Sequence, residues 1–533
     1  MPEREDTRPI KVEVRNLTKR FGDLLVLDDM SFNIRKGEFV CVVGPTGCGK
    51  TTFLNCLTRI HMPSEGDLYI DGVPADPRKH NISFVFQEPS ALPWLTVEDN
   101  LAYGLKIKRI PKAEIDRRVN QILDLMGLQE FRKPLMHFHT QFNQEIPYDT
   151  IDMDFMNENQ SAHGDREYGH MVTRMGIERK VIVGHWSDEK VVGRIAAWMR
   201  TAVGIMESSH VRVARFADNM RNVAVTEGDK VEAQMKFGWE VDAYPVNELA
   251  EYVKAVPKGD ITALVDEYYS KYTILPEGRD PEEFKRHVAV QAQIEAGLEK
   301  FLLEKDYHAI VTHFGDLGEL QQLPGLAIQR LMEKGYGFGA EGDWKVAAMV
   351  RLMKIMTAGK KDAKGTSMLE DYTYNLMKGK EGILEAHMLE ICPSIADGPI
   401  SIKCQPLTMG DREDPARLVF TSKEGTGIAT SLVDLGDRFR LIINTVDCKK
   451  TEKPMPKLPV ATNFWTPQPD LYTGAEAWIL AGGAHHTAFT YDLTAEQMGE
   501  WAAMMGIEAV FIDNDTTIRN FKKDLMLGNI FYK

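Results

Sequence analysis

Residues 336–345 of this 533-residue chain read YGFGAEGDWK, residues 368–374 read MLEDYTY, residues 386–394 read AHMLEICPS, and residues 481–487 read AGGAHHT. These segments carry the glutamates Glu341 and Glu370, the histidine His387 and the histidine pair His485 and His486. Two carboxylates and two imidazoles that converge from four segments suit a divalent cation that leaves room for a substrate. Carboxylates favour manganese or magnesium, and imidazole shifts the preference towards manganese, cobalt or another first-row metal. The segments therefore predict a metal centre, against the simpler alternative of surface carboxylates and packed histidines.

The surroundings of Glu341 predict a helix. Asp343 can cap a helix that runs to about Thr357, and a carboxylate beside a helix N-terminus is held ionised by the dipole. That environment suits a metal ligand, whereas the alternative is that Glu341 only assists the cap.

The histidines leave two structural alternatives. His387 and Glu390 lie three residues apart, so they share a face on a helix but point to opposite faces on a strand. His485 and His486 follow two glycines, which favour a loop. Adjacent strand residues point to opposite faces, so one histidine is expected to bind the metal and the other to face the substrate.

Hydrophobic patterning predicts an α/β fold with several domains. From about residue 182 to residue 362, strands alternate with helices, which indicates a mostly parallel sheet flanked by helices, with ligands at the carboxyl ends of the strands. After about residue 363, short alternating runs separated by Gly or Asp turns indicate an antiparallel β meander.

From about residue 134 to the C-terminus, the sequence resembles the L-arabinose isomerases. The matching runs are HFHTQFNQEIPYDTIDMDFMN, VARFADNMRNVAVTEGDKVEAQ, QLPGLAIQRLMEKGYGFGAEGDWK, EDYTY, HMLEICPSIA, DPARLVF, LVDLGDRFRLIIN, LPVA, EAWILAGGAHHT and FIDNDT. The resemblance implies a metal-dependent aldose–ketose isomerase that converts L-arabinose to L-ribulose with Mn²⁺ or another divalent cation. It also implies a homo-oligomer, usually a hexamer.

The resemblance assigns roles to particular residues. It places the metal ligands at Glu341, Glu370, His387 and His486, and makes the two glutamates the acid/base pair. Which of them is the base, and whether hydrogen moves through an enediol or as a hydride, stays open. The sugar contacts that it implies are His485, Met220, Phe314 and His139, with core packing as the alternative for the two apolar residues.

A different motif stands near the N-terminus. Residues 39–43 are apolar and predict a strand, residues 44–51 read GPTGCGKT, and a helix-like run follows. This is a P-loop in a strand–loop–helix setting, in which backbone N–H groups surround phosphates, the lysine reaches the outer phosphates and the threonine reaches magnesium. The candidate nucleotide-binding residues are Phe21, Gly44, Gly47, Gly49, Lys50, Thr51, Thr52 and Gln87.

About residues 10–132 resemble a truncated ATP-binding subunit of an ABC importer of the nitrate or sulfonate type. No LSGGQ signature and no apolar strand ending in Asp-Glu follow at the distances that this family requires. ATP/Mg²⁺ binding at the P-loop is therefore compatible with the sequence, and sustained hydrolysis is not expected, since nothing completes the magnesium shell.

Charge and cysteine content exclude some classes of binding partner and indicate a compartment. The net charge of −14 argues against nucleic-acid or anionic-membrane binding. The six cysteines form no C-x-x-C pair, so we expect reduced thiols in the cytoplasm. We see no signal peptide and no run long enough to span a membrane.

The expected domains are residues 1–132, a truncated ABC-type nucleotide-binding fragment; 133–211, the remainder of an isomerase N-terminal α/β domain; 212–362, a central α/β domain; and 363–533, a C-terminal mixed β domain. Three functional hypotheses follow: a sugar isomerase, a nucleotide-binding module of a transporter, and a hybrid whose isomerase scaffold folds but is inactive.

Overall fold

The computed structural model describes residues 8–44, 47–77, 79–80, 82, 84, 97–108, 110–125, 134–407 and 411–532. The chain divides into two units, Met1–Gln129 and Glu130–Lys533. No helix among the described residues is both long enough and apolar enough to cross a membrane.

The first unit contains an antiparallel sheet and three helices. Its elements are β1 (Ile10–Phe21), β2 (Leu24–Arg35), α1 (Lys50–Leu57), β3 (Glu65–Ile70), β4 (Val73–Pro74), α2 (Val97–Ile107) and α3 (Lys112–Leu125), with the strands in the order β2-β1-β3-β4. A two-residue turn joins β1 to β2, and Gly22 supplies the positive φ (58°) that such a turn requires. Phe53 and Cys56 of α1 pack against this sheet.

The strand predicted for residues 39–43 is wrong. This segment belongs to no strand, and Phe39 and Val43 are 90% and 87% exposed. An apolar strand of a parallel sheet is stabilised by neighbours on both sides. Among the described residues of this unit, the sheet is antiparallel and offers no pairing to the segment.

The second unit begins with alternating strands and helices. Its first elements are β5 (Met136–His139), α4 (Met153–Glu158), α5 (Arg166–Arg174), β6 (Lys180–Val183), α6 (Glu189–Ser208), β7 (Arg212–Phe216), α7 (Lys230–Phe237), β8 (Glu240–Tyr244), α8 (Val246–Lys254), α9 (Lys258–Lys271), β9 (Thr273–Ile274), α10 (Pro281–Lys305), β10 (Ala309–Val311), α11 (Leu326–Glu333), β11 (Gly337–Gly339) and α12 (Trp344–Thr357). Strands β11-β10-β7-β8 form a parallel sheet, and β5 pairs in parallel with β6. The predicted α/β fold is confirmed.

The remaining elements are mostly antiparallel. They are β12 (Thr366–Asn375), β13 (Gly382–Ala386), β14 (Ser401–Cys404), β15 (Ala416–Val419), β16 (Gly425–Asp434), β17 (Phe439–Cys448), β18 (Thr462–Pro467), α13 (Leu471–Ala481), β19 (His486–Thr490), α14 (Ala495–Met505), β20 (Glu508–Ile512) and α15 (Ile518–Phe531). Six strands close into a ring, β16-β19-β12-β13-β18-β17, because β16 also pairs with β17, and β20 joins β17 in parallel outside it. Within the region predicted as an antiparallel meander, β16 and β17 pair as a hairpin, whereas β15 pairs with β14 in a separate sheet that includes β9.

Helix α12 connects the parallel sheet to this barrel. It contacts β7, β10 and β11 on one side and β12, β16 and β19 on the other. Its side chains are almost all buried, among them Trp344, Val346 and Leu352. Because this apolar helix packs against both sheets, it fixes their relative positions. The carboxyl ends of the parallel strands therefore lie next to the start of β19 and the middle of β12.

Candidate active site

Glu341 is held by an unusual backbone conformation after β11. Its φ is +55°, which is uncommon for a residue with a side chain, and its carbonyl oxygen accepts a hydrogen bond from the N–H of Met220 at 3.0 Å. The next residue, Gly342, has φ of +90°, and a Cβ there would lie 2.5 Å from the Cα of Asn219. Asp343 then caps α12, which ends at Thr357 as predicted. Sparsely populated conformations cluster at functional sites, and this one aims the Glu341 carboxylate at the barrel.

Strand register places two further groups together opposite Glu341. Glu370 of β12 pairs with His486 of β19 on one side and with Ala386 of β13 on the other. Because residues that oppose each other on neighbouring strands project to the same face, the register brings Glu370 and His486 together. His387 follows β13 directly, outside the strand alternation, and reaches Glu370 from the loop, with 3.8 Å between its Nε2 and Glu370 Oε2.

Two distances within this group lie in the range of a shared cation. His387 Nε2 lies 3.8 Å from Glu370 Oε2, and His486 Nε2 lies 3.9 Å from Glu341 Oε2. Ligand atoms that sit about 2.1 Å from one octahedral ion are separated by about 3.0 Å when adjacent and about 4.2 Å when opposite. These two pairs fall in that range. The two imidazoles are further apart, with 5.9 Å between their ring centroids, and the group whose ligand atoms all lie within 4.8 Å of one another does not include Glu370 or His387.

His485 also reaches the group, contrary to the expectation that adjacent histidines point apart. It precedes β19 and therefore does not follow the strand alternation. Its Nε2 lies 3.5 Å from Glu341 Oε2, and the two adjacent imidazole centroids are 4.1 Å apart. Glu341, His485 and His486 thus form a group of potential metal ligands within 4.8 Å of one another.

A buried carboxylate orients one of the imidazoles. Glu390 Oε2 accepts a hydrogen bond from His387 Nδ1 at 2.5 Å and another from the N–H of Leu389 at 3.0 Å. A carboxylate that accepts the Nδ1–H bond fixes the ring and leaves Nε2 directed at a metal. His387 and Glu390 adjoin neither on a helix nor on a strand but in the loop after β13, so neither predicted alternative is correct. Asp343 lies beside the other imidazole, with 3.5 Å between its Oδ2 and His486 Nδ1.

His486 is the clearest indication that a cation belongs here. It is fully buried, and among the described residues neither ring nitrogen has a hydrogen-bond partner; the 3.5 Å contact with Asp343 is too long to count as one. Burying a polar group without a partner is costly. A cation bound by Nε2 would satisfy it, so the residues fit the metal that the sequence predicts.

Charge in the site is strongly negative. The close contact with His485, whose Nε2 lies 3.5 Å from Oε2, keeps the pKa of Glu341 below its usual range, although burial opposes this. Burial alone would lower the pKa of His387, but Glu390, followed by Glu370 and Glu341, raises it to about 9. Carboxylates that favour a protonated imidazole also favour a metal cation in the same place, because both supply positive charge.

A cavity of about 220 Å³ opens beside these groups. It is lined by Met220, Thr312, Phe314, Leu323, Ala340, Glu341, Glu370, Tyr372, His387, Met388, Glu390 and Leu407. Met220, Phe314 and Glu341 follow the carboxyl ends of β7, β10 and β11, where a parallel sheet binds ligands. The volume is below the range of about 300–1,000 Å³ that is typical for drug-sized ligands, so the cavity suits a smaller molecule.

Two hydroxyl groups in this lining were missed by the sequence analysis. Tyr372 lies two residues after Glu370 on β12, and Thr312 follows β10 directly. The period of two along a strand was the available signal for Tyr372. The end of a parallel strand was the signal for Thr312. A larger cavity of about 650 Å³ is lined by residues from the range 373–472 and shares no lining residue with the cavity beside Glu341.

His139 stands apart from the cavity. It ends β5, and its Nδ1 hydrogen-bonds to Asp165, so it is not among the lining residues. The sugar contact proposed for it stays a prediction.

The P-loop lies in the first unit. Its lysine, Lys50, begins α1 and donates from Nζ to the carbonyl oxygen of Gly44 at 2.7 Å. Gly47 and Gly49 both have positive φ, 83° and 91°. The neighbouring threonines Thr51 and Thr52 lie in the first turn of α1, Phe21 is 44% exposed at the end of β1, and Gln87 lies outside the described residues. The described glycines of the motif thus adopt positive φ ahead of α1, and the segment 39–43 that precedes the motif forms no strand.

Comparison with known protein families gives four matches. The L-arabinose isomerase N-terminal domain matches residues 123–210, the central domain residues 212–359 and the C-terminal domain residues 365–508. The ABC transporter family matches residues 27–143.

Curated relatives agree with these matches. An L-arabinose isomerase of Geobacillus stearothermophilus is 56% identical over 407 residues, which are 76% of this chain and 81% of the relative. L-arabinose isomerases of Bacillus subtilis and Clostridium beijerinckii are each 53% identical with the same coverage. Among solved structures, an ATP-binding cassette bound to ADP and phosphate covers 34% of this chain and 89% of its own at 23% identity. Its TM-score of 0.21 is too low to indicate a shared fold.

Proposed function

Because the chain belongs to the L-arabinose isomerase family, we propose that it interconverts L-arabinose and L-ribulose in the cavity lined by Glu341, Glu370 and His387. The observation that carries the proposal is the convergence of two carboxylates and two imidazoles from four distant segments, with a buried histidine whose ring nitrogens lack hydrogen-bond partners.

We propose Glu341, Glu370, His387 and His486 as the ligands of one divalent cation, with manganese as the best match to mixed carboxylate and imidazole ligands. When bound, such a cation polarises a carbonyl and stabilises the negative charge that develops on the two sugar oxygens. Glu390 accepts the hydrogen bond that holds His387 in the orientation that this binding requires, and Asp343 lies 3.5 Å from Nδ1 of His486.

The chain's own groups perform the proton transfers. Aldose-to-ketose conversion moves hydrogen from C2 to C1 and a proton between the attached oxygens. Glu341 and Glu370 approach the cavity from opposite sides, one from the parallel sheet and one from the barrel, so one can release a proton while the other accepts one. Because the pKa of Glu341 lies below its usual range, its carboxylate is ionised at neutral pH.

The other lining groups position the sugar. His485, 3.5 Å from Glu341, is directed at the same space and can bond a sugar hydroxyl. Thr312 and Tyr372 offer further hydroxyl partners, and Met220 and Phe314 provide an apolar wall for the carbon skeleton.

An assay of purified protein tests this function. The full chain is stripped of metal, supplied with Mn²⁺ and incubated with L-arabinose, and ketose is measured. We expect turnover that falls by about 10²–10⁴-fold in Glu341→Gln and in Glu370→Gln, since each loses an acid/base group. Glu319→Gln, which alters a surface pair with Lys254, is the matched control and should retain full activity.

The alternative hypothesis is a hybrid chain whose isomerase scaffold folds but is inactive. In that case the protein binds metal but produces no ketose. The family match begins only at residue 123, and the residues before it match a different family. Calorimetric Mn²⁺ binding that is lost in Glu341→Gln, without turnover of any aldopentose, would establish that outcome. Sedimentation analysis of the same samples tests the homo-oligomer, a hexamer by family membership.

Nucleotide binding at the P-loop is the second candidate function. The contact of Lys50 with Gly44 and the match of residues 27–143 to the ABC transporter family favour it. Calorimetry with ATP and Mg²⁺ decides the question: binding should disappear in Lys50→Ala and persist in Lys36→Ala, an exposed lysine of the same unit. A chain that releases no heat with ATP rules it out.

A further inference from the structure

A second cluster of metal-ligating side chains lies on β5, outside the proposed active site. His137 and His139 are two residues apart on this strand, so their imidazoles project to the same face. Asp165, in the turn that leads into α5, approaches that face. Its Oδ2 lies 2.7 Å from His137 Nε2 and also accepts a hydrogen bond from His139 Nδ1.

The cluster is shielded on one side and open to solvent on the other. Among the described residues, the two imidazoles are the only ion-pair partners of Asp165. His137 is 8% exposed, and the edge of the Tyr168 ring covers it at 5.0 Å between centroids. His139 and Asp165 are half-buried, so one side of the cluster remains open to solvent.

We propose that His137, His139 and Asp165 bind a divalent first-row transition-metal cation of the zinc and cobalt class. One potential ligand atom from each lies within 4.8 Å of the other two. Two imidazoles and one carboxylate favour such a cation over magnesium or calcium, which prefer ligand sets made only of oxygen. The open side leaves positions for water, as in three-ligand sites.

A small movement accommodates the ion. Ligand atoms bound tetrahedrally at about 2.0–2.1 Å are about 3.4 Å apart. His137 Nε2 and Asp165 Oδ2 are now 2.7 Å apart, so the carboxylate must withdraw by less than about 1 Å. Asp165 can do this because it ends a short π-helical segment, Ser161–Asp165, and its side chain is 27% exposed.

Binding would add a further link between two segments that the contacts of Asp165 with His137 and His139 already join. The ion would tie the turn at Ser161–Asp165 to β5, at the start of the second unit. Metal sites that form only in the folded chain contribute their binding free energy to folding. Because the ion would occupy the His139 imidazole, this residue could not make the sugar contact predicted for it.

Counting bound ions tests the proposal. The full chain, untagged and stripped with chelator, is dialysed against Co²⁺, and cobalt per chain is measured by elemental analysis. We expect two ions in the wild type and one in the Glu341→Gln/Glu370→Gln double variant, which retains the site on β5. Asp165→Asn and His139→Asn should lose the second ion, with a fall in its affinity of more than about tenfold.

The matched control is His163→Asn, an exposed histidine two residues from Asp165, which should keep both ions. Visible absorption of Co²⁺ gives an independent measure: a component that survives in the double variant should vanish in Asp165→Asn. A wild type that binds one ion, lost in the double variant, would show that the cluster is only a hydrogen-bonded triad. Two ions in Asp165→Asn and His139→Asn would equally overturn the assignment.

Discussion

Replacing Glu390 by glutamine should weaken metal binding at the proposed active site without unfolding the protein. Glu390 is 1% exposed, and its Oε2 accepts the His387 Nδ1–H at 2.5 Å. Glutamine has nearly the same shape and can still accept that bond, but it removes the negative charge. The change therefore isolates the electrostatic support that Glu390 gives to His387.

The structure sets the size of the effect. The pKa of His387 is raised from 6.5 to about 9, mainly by Glu390 against the opposing effect of burial, and a difference of about 2.5 corresponds to about 3.4 kcal/mol in favour of positive charge at this ring. Glu370 and Glu341 contribute to that figure, so it is an upper bound. Loss of a partner outside the ligand shell typically lowers metal affinity by about 10–100-fold, or about 1.4–2.7 kcal/mol. We expect a loss in this range.

Calorimetric titration with Mn²⁺ measures it, and Glu385→Gln is the matched control. Glu385 is also fully buried and lies on β13, two residues before His387. Burial, together with Asp371 on the next strand, raises the pKa of Glu385 well above its ordinary value, so glutamine there removes less negative charge than it would at a carboxyl group of ordinary pKa. The control should bind Mn²⁺ as the wild type does. Unchanged affinity in Glu390→Gln, or an equal loss in both variants, would refute the role assigned to Glu390.

Three further predictions concern pH, backbone space and a buried ion pair. Because the pKa of His387 is about 9 without metal, Mn²⁺ must displace its proton, so the affinity for Mn²⁺ should rise about tenfold per pH unit between pH 6.5 and 8.5. Calorimetry in two buffers should detect about one proton released, and an affinity that does not change with pH would contradict this. Gly342→Ala should abolish activity and lower the melting temperature, because a Cβ at this position would lie 2.5 Å from a backbone atom. The control is Gly436→Ala, which also has positive φ but lies in open space and should leave activity unchanged. Glu295→Gln leaves Arg330 buried without its main partner and should cost about 3–5 kcal/mol in urea unfolding; a loss below about 1 kcal/mol would show that Arg330 finds other support.

Local chemistry made much of the α/β half of the second unit predictable. The cap at Asp343, the end of its helix at Thr357 and the alternation of strands and helices follow from signals within a few residues of each other. The closure of the barrel does not, because the pairing of β16 with β19 depends on partners about 60 residues apart. No local pattern specifies such a pairing.

The candidate site shows the same division. Residue types drew attention to Glu341, Glu370, His387 and His486, and the resemblance to a family selected among the histidines. The contact of His485 with Glu341 was not foreseen, because strand alternation was applied to a residue that precedes its strand. The strand prediction for residues 39–43 was wrong for a related reason. Their apolar character predicted a strand, but a strand also needs neighbouring strands, which only the tertiary structure provides.

We propose that Glu341, Glu370, His387 and His486 bind one cation. Anomalous diffraction at the manganese edge, from crystals of the full chain grown with Mn²⁺, would locate that ion. We expect a single strong peak in this cavity, about 2.0–2.3 Å from an atom of each of the four side chains. Manganese bound elsewhere, or a peak in the cavity that misses Glu341 or His486, would contradict it.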